Sequence, residues 1–255
     1  MLALKRFGVP EKFLTVVSAI YSGRKNWVGD AGETSTIHPQ HFGICQGCPL
    51  SPFLFSMLMT VLMNDAKSKL DARGVQLSAQ LAVHDLLYAD DTLVIDVCSE
   101  TVEQFMQCIG EAGSNYGLAF NWRKLEVIPV RCQARVLKPD GSLVKQTQHM
   151  VYLGSLLCAS GGIGSELGRR IGAADAEFNK ISKVWAHTMI SRATKINIFE
   201  ACVVSKLMYN LHASWLGVAE RRRIDAFQAR CLRKVFGVKP AFVSRVCNAT
   251  VFRAK

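Results

Sequence analysis

Two adjacent aspartates, Asp90 and Asp91, stand between two short apolar runs, Leu81 to Leu87 and Thr92 to Ile95. Both runs are rich in aliphatic and β-branched residues, the pattern of strands rather than helices. A strand, a tight turn at Tyr88-Ala89-Asp90-Asp91 and a returning strand make a hairpin with its acids at the tip. Neighbouring like charges repel, and carboxylates at the mouth of apolar strands add nothing to packing. A hard divalent cation relieves the repulsion, because Mg²⁺ takes carboxylate oxygens and commonly shares them with substrate phosphates. A solvated acidic turn is the competing reading, and on these residues alone it is the commoner outcome.

The stretch upstream alters that balance. Gly43-Ile44-Cys45-Gln46-Gly47-Cys48-Pro49-Leu50-Ser51-Pro52-Phe53-Leu54-Phe55 runs from Gly-rich backbone into Pro-Leu-Ser-Pro and then an apolar helix. Ser51 suits an N-cap and Pro52 the first helical position. Such a loop offers backbone N–H groups and the Gln46 amide to a nucleotide beside a positive helix end. Together with the acidic hairpin, this closely resembles the reverse transcriptases of non-LTR (LINE-type) retrotransposons. Their signatures Gly-x-x-Gln-Gly-Cys-Pro-Leu-Ser-Pro-x-Leu-Phe and Tyr-Ala-Asp-Asp occur in this order and at about this separation.

The resemblance extends along nearly the whole chain. Gly117-Leu118-Ala119-Phe120-Asn121-Trp122-Arg123-Lys124-Leu125-Glu126 is similar to the family's next block, with Leu125 in place of Thr. Tyr152-Leu153-Gly154 is similar to the block that grips the primer strand. Glu166 to Ile171, Thr194-Lys195, Leu207-Met208-Tyr209 and Cys231-Leu232-Arg233 follow in the order usual for the thumb. The family's first catalytic block, an aspartate on a strand, lies before a Gly-x-Pro segment, here Gly8-Val9-Pro10. No acidic residue precedes Glu11. The expectation is a reverse transcriptase cut just after its first metal ligand. The sheet then keeps a gap beside the hairpin, and either residues 127–130 slide over to fill it or an apolar edge stays open.

The resemblance implies roles residue by residue. Two Mg²⁺ ions, with Mn²⁺ as a substitute, would sit about 3.5–4 Å apart and clamp the attacking and leaving oxygens of nucleotidyl transfer. Asp90 would be shared by both ions, with Asp91 assisting. Gln46 and Gly47 would line the nucleotide and template pocket, and Tyr88 and Ala89 would lie beside the primer end. Lys124 would approach the leaving pyrophosphate, and a solvated surface lysine is an equal alternative for it. Tyr152 and Gly154 would position the primer. The partners implied are an RNA template, a DNA primer and deoxynucleotides. The competing function is a non-catalytic nucleic-acid-binding remnant of a decayed element.

Charge supports a polyanion partner independently. Residues 165–255 carry 17 Lys and Arg against 6 Asp and Glu, whereas residues 1–164 carry 14 of each. The whole excess therefore lies in the C-terminal third, where Arg221, Arg222, Arg223, Arg230 and Arg233 are expected to hold duplex phosphates without reading bases. The longest apolar run, Phe53 to Met63, is too short to span a bilayer. The first twenty residues lack the pattern of a signal peptide. The expectation is an intracellular soluble protein, with a nuclear or cytoplasmic ribonucleoprotein setting implied by the family alone. Nine cysteines, an odd number, suggest reduced thiols, mostly buried. Cys45 and Cys48 could be half of a zinc site, but no second pair accompanies them.

Periodicity gives an α+β class, an antiparallel sheet with helices followed by an all-helical region. Helices are expected at Leu2 to Phe7, Glu11 to Tyr21, Pro52 to about Arg73, and from Thr101, whose capping box would use Gln104. A short hairpin fits residues 27–40. Strands are expected at residues 127–130, 134–137 and 150–157, and helices at Glu166 to Met189, Ala193 to Trp215 and Glu220 to Phe236. Gly161-Gly162-Ile163-Gly164 marks the change of period. The expected domains are a palm and fingers portion over 1–160, a basic thumb-like region over 161–240 and a short tail over 241–255.

Overall fold

The computed structural model describes residues 1–40, 43–45 and 47–254. They form two compact units, one of residues 1–127 and 134–145, the other of residues 128–133 and 146–255. The change to helical periodicity at Gly161 to Gly164 is not where the units divide. The hairpin over residues 149–158 belongs with the helices that follow it.

The first unit opens with α1 (Leu2–Phe7) and α2 (Glu11–Tyr21), separated by Gly8 at φ +93. Two nested pairs follow, β1 (Lys25–Asn26) with β4 (His38–Pro39) and β2 (Gly29–Asp30) with β3 (Glu33–Thr34). The central helix α3 (Ser51–Ala72) packs on α4 (Ser99–Ser114). Met59, Leu62, Met63, Ala66 and Leu70 meet Phe105, Cys108, Ile109 and Ala112 in one core. Each large side chain fully buried there stabilises the unit by about 1.5–3 kcal/mol. Helix α1 is tied to this frame by Arg6, whose guanidinium pairs with Asp65 while Tyr116 donates to the same carboxylate at 2.7 Å. The hydrogen bond from Arg6 holds the Asp65 carboxyl below its usual range.

Between α3 and α4 runs the hairpin β5 (Asp85–Tyr88) and β6 (Asp91–Val94). Its strands pair with each other alone among the described residues, and β7 (Glu126–Val127) does not join them. Of the two outcomes expected for the gap, the open edge is the one observed. Leu86 and Leu87 stay 43% and 38% exposed.

The second unit contains the end of β8 (Lys145–Gln146), then the hairpin β9 (His149–Tyr152) and β10 (Ser155–Cys158). The helices are α5 (Gly164–Lys180), α6 (Ser182–Ala186), α7 (Arg192–Phe199), α8 (Ser205–Met208), α9 (Val218–Phe236), α10 (Ala241–Ser244) and α11 (Asn248–Arg253). A π-turn over Glu200–Val204 joins α7 to α8. Leu167, Phe178, Trp185, Phe199, Val203, Leu207, Phe227 and Leu232 form the core. Trp185 stacks on Phe178 with centroids 5.0 Å apart and donates Nε1–H to the Phe178 carbonyl at 2.9 Å. The nearly buried Lys195 donates to the Trp185 carbonyl at 2.8 Å.

Several expectations are corrected. Ser51 is the first residue of α3 and not its cap; its hydroxyl donates to the Cys45 carbonyl at 2.7 Å. Helix α4 starts at Ser99, so Thr101 and Gln104 form no capping box, and Gln104 accepts from Arg73 instead. The expected strand over 150–157 folds back at Leu153-Gly154, because both residues take positive φ. The long helix expected from Glu166 breaks at Ile181. Of the nine cysteines, Cys108, Cys158 and Cys231 alone are buried, and burial pushes the Cys231 thiol up to about 12.

Candidate functional site

The register of the acidic hairpin fixes what its tip presents. Asp85 pairs with Val94, Leu86 with Leu93, Leu87 with Thr92 and Tyr88 with Asp91. Ala89 and Asp90 are therefore the two turn residues, and Asp91 opens the returning strand. Ala89 sits at φ +51, a left-handed conformation that alanine rarely adopts and that turns the chain within two residues. Both aspartates are exposed, and no ion pair within the chain neutralises either among the described residues.

The base of the hairpin is anchored on both sides. Asp85 pairs with Lys67 of α3 at 2.6 Å. The Asp96 carboxylate accepts the backbone N–H of Ser78 and of Cys98, each at 3.0 Å. Anchoring at the base leaves the tip as the free end. Behind it lies a cavity of about 160 Å³ lined by Phe55, Met59, Leu62, Asp90, Thr92 and Phe120 among others. The early turns of α3 and the Leu118 to Phe120 segment thus share one wall system with Asp90.

The remaining residues expected in this region are less tightly gathered. Gln46 lies outside the described residues. Gly47 is exposed in the turn before α3, at φ +83. Tyr88 is 64% exposed on the strand leading to the tip. Lys124 is exposed in a turn, where its N–H donates to the Asn121 carbonyl, and no ion pair joins it to Asp90 or Asp91.

In the second unit, Tyr152 ends β9 and the turn Leu153-Gly154 has φ values of +47 and +75. Positive φ at both turn residues matches the right-handed twist of the strands it joins. The Leu153 carbonyl accepts from Tyr209 Oη at 3.2 Å and Asn210 Nδ2 at 3.0 Å. The Gly154 carbonyl accepts from Arg169 Nη2 at 2.5 Å and from Arg170 Nη2. Glu166, 2% exposed, draws these arginines together. Its Oε1 accepts from Arg170 Nε at 2.6 Å, and its Oε2 from Arg169 Nε at 2.8 Å and the Leu156 N–H at 3.0 Å. Burial alone would raise the Glu166 carboxyl, but these hydrogen bonds outweigh it and hold it below its usual range. Sequence reasoning missed Glu166, Arg170, Tyr209 and Asn210 as a group. The segments Glu166 to Ile171 and Leu207 to Tyr209 were visible as separate blocks, and the four-residue spacing of Glu166 and Arg170 hinted at their ion pair, but nothing in the sequence joined the two blocks.

Of the arginines expected on nucleic-acid phosphates, Arg221, Arg222 and Arg223 are exposed on the first turns of α9. Arg230 is exposed but shared with Asp175 at 2.8 Å. Arg233 departs from the set. It is 8% exposed and donates to the carbonyls of Lys239 and Val246 and to Asn248 Oδ1. Its guanidinium holds the C-terminal segment and is not presented to a phosphate.

Among the described residues, no helix is long and apolar enough to cross a membrane. Residues 2–157 match the sequence profile of the family described as reverse transcriptase (RNA-dependent DNA polymerase). Over 233 residues the chain is 24% identical to the RNA-directed DNA polymerase from mobile element jockey of Drosophila funebris, an overlap of 87% of this chain and 25% of that protein. It is 27% identical over 159 residues to an uncharacterized transposon-derived protein of Caenorhabditis elegans, covering 60% of this chain and 57% of the relative. It is 25% identical over 173 residues to the retrovirus-related Pol polyprotein from the type-2 retrotransposable element R2DM of Drosophila melanogaster, covering 62% of this chain and 16% of that polyprotein. The chain thus spans less than two thirds of the length of each of these relatives.

Proposed function

This chain belongs to the reverse transcriptase family, and from that premise we propose that it carries the catalytic hairpin and primer-holding parts of a non-LTR retrotransposon's RNA-directed DNA polymerase. The observation that carries the reading is the placement of Asp90 and Asp91 together at an exposed hairpin tip, with no ion pair to either among the described residues.

Reverse transcriptases work with divalent metal ions, and we assign Mg²⁺ to this chain, with Mn²⁺ as a substitute. Asp90 and Asp91 fit such an ion in kind, since both supply hard carboxylate oxygens and each repels the other without a cation. Among the described residues they have no third His, Cys, Asp or Glu close enough to complete a cluster. The pair supplies two carboxylates toward such an ion, and substrate phosphates would supply further oxygens. When bound, the ions would activate the primer 3′-hydroxyl and stabilise the leaving pyrophosphate.

The chain's own residues do the positioning. Asp90 in the turn and Asp91 at the start of the returning strand offer their carboxylates from one hairpin tip. Ala89, small and held at positive φ, leaves room for a sugar beside Tyr88. Gln46 and Gly47 are assigned to the nucleotide and template pocket. Lys124 is assigned to the pyrophosphate side, reaching it when substrate draws in its flexible stem. Tyr152 and Gly154 meet the primer strand, and Arg221, Arg222, Arg223 and Arg230 contact phosphates of an RNA–DNA hybrid. Regions 1–160, 161–240 and 241–255 are assigned as palm and fingers, thumb and tail.

Primer extension on an RNA template tests the proposal. A polymerase that joins a family segment carrying the first-block aspartate to residues 1–255 is expected to extend the primer with Mg²⁺ or Mn²⁺. Asp90→Asn should abolish that extension. Hybrid binding without extension in the joined protein would contradict the proposal and leave the non-catalytic binding reading.

A further inference from the structure

Three sequence blocks far apart in the chain meet at one hairpin turn. They are Tyr152-Leu153-Gly154, Glu166 with Arg169 and Arg170, and Tyr209-Asn210. Both carbonyls of the turn are occupied twice, Leu153 by Tyr209 and Asn210, Gly154 by Arg169 and Arg170. The Arg170 guanidinium also lies 4.6 Å from the centroid of the Tyr209 ring. That ring covers Gly154 so closely that a Cβ there would come within 3.2 Å of it. One carboxylate organises the assembly, and it also accepts the Leu156 N–H of β10, so helix α5 grips the strand as well as the turn.

This is more restraint than an exposed two-residue turn needs. A turn with positive φ at both positions closes a hairpin by itself. Here Leu153, a residue ill suited to positive φ, is nonetheless held there, a sparsely populated conformation that persists only when its surroundings over-determine it. Despite that restraint the turn remains at the surface, with Val151 62% and Leu153 36% exposed. A surface feature locked from behind by buried charge is suited to present itself to a ligand at a fixed angle.

We infer that Glu166 is a positioning residue which, through Arg170 and Tyr209, sets the angle at which the Leu153-Gly154 turn meets the terminal nucleotides of a primer strand. The inference rests on the primer-holding role proposed above for Tyr152 and Gly154. It assigns that role's precision to residues that do not themselves touch the primer. Tyr209 acts through its ring, as a lid on Gly154 and a platform for Arg170, more than through its exposed hydroxyl.

The test uses residues 1–255 and an RNA template annealed to a DNA primer, with two readouts. Fluorescence anisotropy gives total affinity, and hydroxyl-radical footprinting gives protection of the last primer nucleotides. Glu166→Gln and Tyr209→Ala are expected to keep total affinity within about threefold, because that is governed by phosphate contacts elsewhere. Both should lose protection at the primer terminus. Tyr209→Phe, which keeps the ring, should retain more of that protection than Tyr209→Ala. Glu177→Gln, also on α5, breaks a more exposed ion pair, with Lys206 of α8, and should leave both readouts unchanged. Terminal protection equal to wild type in Glu166→Gln and Tyr209→Ala, or lost only in step with total affinity, would overturn the inference. If Glu166→Gln fails to fold by circular dichroism, Tyr209→Ala at its exposed position decides the matter. Absence of hybrid binding by the wild-type chain would instead overturn the primer-holding role itself, and the inference with it.

Discussion

Gly154 lies under the ring of Tyr209, where a Cβ would stand 3.2 Å from Tyr209 Cε1, and its backbone is at φ +75. Two independent constraints thus require glycine at one position. The Gly154→Ala chain should lose about 1–2 kcal/mol to the left-handed backbone alone. Displacement of the Tyr209 ring should add to that loss. Urea denaturation of wild type and variant measures the total, and an unchanged midpoint would contradict the packing of ring on turn.

Glu166 makes the second unit sensitive to acid. Its carboxyl is depressed below the ordinary value of 4.5, with burial opposing and the bonds from Arg169, Arg170 and the Leu156 N–H prevailing. A depressed carboxyl contributes stability that is complete above pH 4.5 and is lost as pH falls through the folded-state value. Removing that charge by Glu166→Gln should cost about 3 kcal/mol at neutral pH, the lower end for breaking a buried pair, because Arg169 remains partly solvated. The gap between wild type and variant should close as pH falls below 4.5. A gap that stays constant with pH would show that the carboxylate's charge is not what holds the turn.

The arginines of α9 separate into two roles that salt titration distinguishes. Arg221, Arg222 and Arg223 are exposed, with Arg221 giving only its Nε–H to the Leu216 carbonyl at 3.0 Å, whereas Arg233 is spent on Lys239, Val246 and Asn248. Replacing any of the first three by Ala should weaken hybrid binding irrespective of sequence and lower the salt slope by about one. Arg233→Ala should leave the slope intact and lower the thermal midpoint instead. A slope that responds to Arg233 and ignores Arg221 to Arg223 would reverse this assignment.

Much of the fold was legible in the sequence wherever local pattern decides structure. Helices α1 and α2 and the acidic hairpin follow from apolar spacing and from Gly8 and Pro10. Legibility failed where a side chain had a choice of partners. Ser51 has the chemistry of a cap, yet Tyr21 and the Cys45 carbonyl take its hydroxyl. Leu153-Gly154 lacks the Asn-Gly or Asp-Gly that announces a hairpin, and its turn is held partly by Tyr209 and Asn210, more than fifty positions away. Arg233 counts toward basic charge like its neighbours, and sequence alone does not show that its donors fold back onto the chain's own carbonyls. At the candidate site, Asp90 and Asp91 were legible as a pair. The cavity behind Asp90 was not, because it depends on how α3, α4 and Phe120 pack together.

On the function proposed above, Asp90 and Asp91 hold a divalent ion at the hairpin tip. The most direct measurement is paramagnetic broadening by Mn²⁺ in nitrogen-15 spectra of the chain bound to an RNA–DNA hybrid. Amide signals from Tyr88 to Thr92 should broaden at the lowest Mn²⁺ additions, and the effect should vanish in the Asp90→Asn, Asp91→Asn double variant. Broadening that is centred elsewhere, or that persists at the tip in the double variant, would contradict the account.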